Sequence, residues 1–150
     1  MPRDVPLQAP DPESREGLVG SFNAAVGRLG WAAMAQSGPA PEGRGAGEIL
    51  LHTALLHEEA VTRLDQPVTG EVLEGCRPDD AAGVTTAGEG PGIDLDEVCR
   101  RFQRASAALA QAFLGAAPEE FAVEATRGQW VRACTRHLVT HAQELESAGS

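Results

Sequence analysis

The chain has no lysine and no tyrosine, and only four phenylalanines and two tryptophans in 150 residues. All twelve basic residues are therefore arginine, against 22 acidic ones, and the net charge is −10. A phosphate backbone would be repelled by that balance, which excludes nucleic-acid binding as a primary role. Cysteine is scarce as well. Cys76, Cys99 and Cys134 are odd in number and form no C-x-x-C pair. This fits reduced thiols and excludes both a disulfide framework and a zinc ribbon. No apolar run approaches the ~18 residues of a membrane span, and no basic stretch followed by an apolar one opens the chain, so neither membrane insertion nor export is expected and the cytoplasm is the expected location. Internal repeats and alternating strand patterns are missing too. The arginine bias, with 17 glycines and 10 prolines, suggests a GC-rich bacterial genome.

What remains is helical periodicity. Residues 1–12 are proline-rich and aperiodic and read as a flexible arm, with Asp11-Pro12 as a helix start signal; residues 13–147 read as one domain. Leu18, Phe22, Val26, Leu29 and Ala33 recur at three and four, one buried stripe of a first helix that dies at SGPAPEG. A second helix runs from about Gly47 to Leu64, its stripe read through Ile49, His52, Leu56 and Ala60. The Gly-, Pro- and Asp-rich stretch 65–92 is longer than ordinary loops. A third helix opens at IDLDEVCRRF with Asp94 and Glu97 in capping-box spacing, and Leu95, Val98, Cys99, Phe102, Leu109, Ala112 and Phe113 keep its period. After a single turn at Pro118–Phe121, a fourth carries Trp130, Val131, Cys134, Leu138 and Leu145. Four amphipathic helices predict an all-α domain, a four-helix bundle.

Three of the four histidines fall on inward stripes. His137 and His141, at i and i+4, project from one helix face about 40° apart, and His52 lies on the stripe of another helix. A buried imidazole without a partner leaves polar atoms unsatisfied at roughly 1–3 kcal/mol each. A divalent cation held by three nitrogens, with a coordination position left for water or substrate, removes that cost. Carbonyl or carboxylate acceptors within the protein would remove it as well, and both readings stay open on the residues alone. His57 points about 140° from His52 and reads as exposed or at the rim. Glu48, one turn before His52, reads as a first-turn acid or as an acceptor behind that imidazole; Glu58 and Glu59 read as a solvated face. Cys134 shares the stripe of the histidine pair but is expected to pack as a small hydrophobe, and Trp130 and Trp31 are expected in the core or an interface.

The order of EILLHTALLHEEA, IDLDEVCRRFQRASAALAQAF, PEEF and QWVRACTRHLVTHAQEL resembles the DinB/YfiT-like metalloenzyme superfamily over about Leu18 to Leu145. The resemblance implies an up-down-down-up bundle, often a homodimer, with zinc or nickel held by His52, His137 and His141. It also implies a thiol-dependent S-transferase or related detoxification activity, in which a low-molecular-weight thiol meets an electrophilic small molecule. The competing expectation is a non-catalytic stress-response or binding bundle, with structural histidines or a bracing metal. A di-iron bundle resembling hemerythrin ranks last, since it needs more histidines and inward carboxylates.

Overall fold

The computed structural model describes residues 13–35, 46–68 and 95–148. The arm 1–12, most of the stretch 65–92, Cys76 and the expected cap Asp94 lie outside them. Four helices form among the described residues: α1 (Arg15–Ala35), α2 (Ala46–Arg63), α3 (Leu95–Leu114) and α4 (Thr126–Ala148), with a 3-10 turn at Pro118–Phe121 between the last two. No strand occurs among the described residues. The fold is an all-α four-helix bundle.

The starts of α1, the 3-10 turn and α4 have local causes. Ser14 caps α1, its hydroxyl accepting the Gly17 N–H at 3.0 Å, which satisfies one of the first orphan donors; the expected start signal Asp11-Pro12 lies outside the described residues. In the 3-10 turn Pro118 fixes the first position and the Glu120 carboxylate accepts the Ala117 N–H at 3.0 Å while pairing with Arg127 at 2.8 Å. Gly128, in the first turn of α4, has no room for a side chain: a Cβ would collide with the Ala122 carbonyl. That close approach seats α4 against the turn.

Contacts between helix ends fix the topology. Arg28 grips both oxygens of Glu146 near the ends of α1 and α4, and Arg132 pairs with Glu13 near their starts, so these helices are parallel. The Trp130 indole donates to the Gln66 carbonyl at 2.6 Å, setting the start of α4 beside the chain leaving α2. Arg15 donates to the Ala116 carbonyl at 2.9 Å, setting the start of α1 beside the end of α3. The order is up, down, down, up.

The tightest pairings are α2 with α3 and α1 with α4. Between them lie Phe22, Phe102, Phe113, Phe121, Trp130, Leu29, Leu109 and Leu138, all fully buried, each side chain contributing about 1.5–3 kcal/mol. Phe113 meets Phe22 and Phe121 edge to face, with centroids at 5.8 and 6.2 Å. In α1, Ala25 and Ala32 complete the stripe while Val26 is only half-buried. Trp31 does not join the core; it is 81 % exposed. With Met34, Cys99 and Phe102 it borders an apolar groove of about 250 Å³ between α1 and α3.

Candidate metal centre

His137 and His141 leave α4 one turn apart, and their Nε2 atoms stand 3.1 Å from each other. The rings are nearly perpendicular, at 86°, with centroids at 4.5 Å. From α2, His52 reaches across the seam, its Nε2 3.0 Å from that of His137. Its ring centroid lies 4.9 Å from His137 and 5.4 Å from His141. One ligating nitrogen from each residue falls within 4.8 Å of the others. His52 is fully buried, His141 is 8 % exposed and His137 is half-buried, so the cluster is sealed on the core side and reached past His137.

The donor set fits a cation. An imidazole nitrogen carries either one proton or one lone pair, yet the His137 Nε2 faces two others at hydrogen-bonding distance. It cannot make two linear N–H···N bonds at once. Three lone pairs turned to a common centre relieve both contacts. With metal–nitrogen bonds of about 2.0–2.1 Å, tetrahedral ligands stand about 3.3 Å apart, so both short edges need to open by only a few tenths of an ångström.

Around the cluster, Glu144 brings Oε1 to 2.8 Å from the His141 Nδ1, one turn further along α4. The approach is short but does not make an aligned hydrogen bond. A carboxylate there favours the Nδ1-protonated tautomer and leaves Nε2 free to ligate. Glu144 is half exposed and indistinguishable in sequence from any surface acid; only its i+3 spacing from His141 signals it. Glu48 is exposed in the first turn of α2. Glu58 pairs across the helices with Arg101, and Glu59 pairs with Arg63 along α2.

Cys134 is fully buried and outside the cluster; burial pushes its thiol up to about 12, so it stays protonated and packs as a small hydrophobe. The thiol of Cys99 is also raised, by burial first and then by Asp96.

His57 overturns an expectation. It is fully buried, not at the rim. Its ring packs against Phe22 at 5.3 Å and stacks on Phe102 at 6.1 Å, and Nδ1 lies 2.8 Å from the Ser106 Oγ. Its Nε2 has no hydrogen-bond partner among the described residues, at a cost of about 1–3 kcal/mol. Burial, with a lesser contribution from His52, pulls its pKa down to about 3. The reason is that α2 is buried on more than one stripe: His52 faces α4, and His57 faces α1 and α3. The two histidines do not substitute for each other.

Comparison with known proteins returns no matching family model, no matching curated sequence and no matching solved structure. The functional reading rests on the residues themselves.

Proposed function

We propose that His52, His137 and His141 bind a divalent cation, zinc or nickel, and that the protein is a metal-dependent enzyme of the thiol S-transferase type. The observation that carries this reading is the convergence of three Nε2 atoms, with that of His137 shared between two contacts it cannot satisfy by hydrogen bonding. Neutral nitrogen donors suit zinc and nickel alike, and availability selects between them. A dication bound there lowers the pKa of a coordinated thiol and keeps it as thiolate, the nucleophilic form. The chain's residues supply the rest. Leu138 and Ala142 close the core side of α4 against water, the Glu144 carboxylate beside His141 Nδ1 favours the tautomer that leaves Nε2 free, and the half-buried His137 marks the side from which a low-molecular-weight thiol and an electrophilic small molecule enter. Neither cysteine near the core replaces that external thiol, because both thiols are held protonated. A homodimer in the cytoplasm, with the resemblance to the DinB/YfiT-like superfamily, completes the reading.

Metal content of the purified protein at neutral pH, measured beside a variant carrying His137→Ala and His141→Ala, tests it. Near-stoichiometric metal in the parent and none in the variant is the expected result, and thiols are then screened against electrophiles. A parent that stays empty after incubation with zinc and nickel sinks the reading and makes the histidines structural.

A further inference from the structure

Seen down its axis, α2 is buried over a wide arc. At 100° per residue, with His52 at the origin, Leu56, Ile49, Ala60, Thr53 and Ala46 follow at about 40°, 60°, 80°, 100° and 120°, and His57 stands at about 140°. All of them are buried. Such an arc specifies rotation poorly. Turning the helix by about 40° exchanges one aliphatic side chain for another with little change in buried area, yet it withdraws His52 from the histidine pair of α4. The Thr53 hydroxyl does not resist that turn, because it bonds the Ile49 carbonyl of its own helix. Glu58 and Arg101 link α2 to α3 with two contacts of 2.7 Å, but on long, partly exposed side chains whose geometry adapts.

His57 is different. Its ring is held between Phe22 of α1 and Phe102 of α3, and its Nδ1 meets the Ser106 Oγ of α3 at 2.8 Å, with both side chains inside the core. A directional bond between two short, buried side chains is made at one rotation and lost at others. We propose that His57 and Ser106 form a rotational lock that aims His52 at His137 and His141. The buried polar pair acts as a register device, a role attested for buried polar groups in other helical assemblies. The importance of the lock rests on the metal reading; the lock itself is a property of the metal-free protein.

The test compares Ser106→Ala, His57→Leu and His57→Asn with the parent. Asparagine places an amide close to where the histidine Nδ1 lies and keeps the bond to Ser106. Two readouts are taken: nuclear Overhauser contacts between the His52 and His137 ring protons in metal-free protein, and zinc affinity by chelator competition. Ser106→Ala and His57→Leu are expected to stay helical and unfold cooperatively while losing the ring contacts and at least tenfold in zinc affinity. His57→Asn is expected to keep both. Ring contacts unchanged in Ser106→Ala, or lost equally in His57→Asn and His57→Leu, would overturn the lock. If His57→Leu fails to fold, Ser106→Ala, which removes a single oxygen, decides alone. A parent that binds no zinc defeats the metal reading only, since the ring contacts still decide whether the lock exists.

Discussion

The two seams of α2 each receive a buried histidine, and their surroundings divide the roles. Towards α4, the His52 Nε2 lies 3.0 Å from that of His137, which itself lies 3.1 Å from that of His141. Towards α1 and α3, His57 meets two phenylalanine rings and one hydroxyl. Burial is complete for both residues. Burial therefore does not separate a ligand from a structural histidine; the polar atoms facing it do. A lone imidazole among rings is held neutral, whereas one among imidazoles lies close enough to them to share a cation.

Acid is the strongest way to separate the seams. Because the folded-state pKa of His57 is depressed to about 3 from an ordinary 6.5, the unfolded chain takes up its proton first as pH falls. Stability from this group is full above 6.5 and is lost between 6.5 and 3, at about 1.4 kcal/mol per pH unit. Chemical denaturation of metal-free protein across that window is expected to show the slope in the parent and to lack its His57 part in His57→Leu. An identical slope in both would mean that the ring is solvated in the native state.

A smaller effect belongs to the other seam. Glu144→Ala is expected to weaken zinc binding about 10- to 100-fold, measured by chelator competition, with Glu144→Gln between it and the parent. Affinity unchanged in both variants would show that packing alone orients His141. The smallest effect lies off both seams. Arg28 and Glu146 are exposed and their pair holds the Glu146 carboxyl below the usual carboxylate range. Arg28→Ala should leave both the thermal midpoint and zinc binding within error of the parent, because solvent screens the pair; a clear drop in either would give the α1–α4 edge a part in shaping the site.

The stripes of α1 and α4 were legible because each of these helices buries mainly one face: Leu18, Phe22, Leu29 and Ala33 on the first, and Trp130, Val131, Cys134 and Leu138 on the last, are all in the core. The same rule misplaced His57. A single stripe was assumed for α2, and nothing in a periodic pattern says that a helix will be covered from two sides by neighbours far away in the chain. Trp31, expected in the core or an interface, stays out of the core because its register on α1 turns it outward. The spacing of His137 and His141 placed them on one face; their convergence with His52 needed the antiparallel setting of α2 and α4, which no local pattern carries. Ser106 reads as an ordinary serine in a helix, and Glu144 as an ordinary surface acid but for its i+3 spacing from His141.

The parallel pairing of the first helix with the last has a consequence for synthesis. Much of the apolar stripe of α1 waits for α4, and Arg28 and Glu146 are separated by 118 positions. A ribosome adding about 5–20 residues per second needs several seconds or more to build the intervening chain. Throughout that interval Leu18, Phe22 and Leu29 lack their final cover, so the apolar stripe of α1 is exposed or only loosely covered until α4 has been made and His52 can meet His137 and His141.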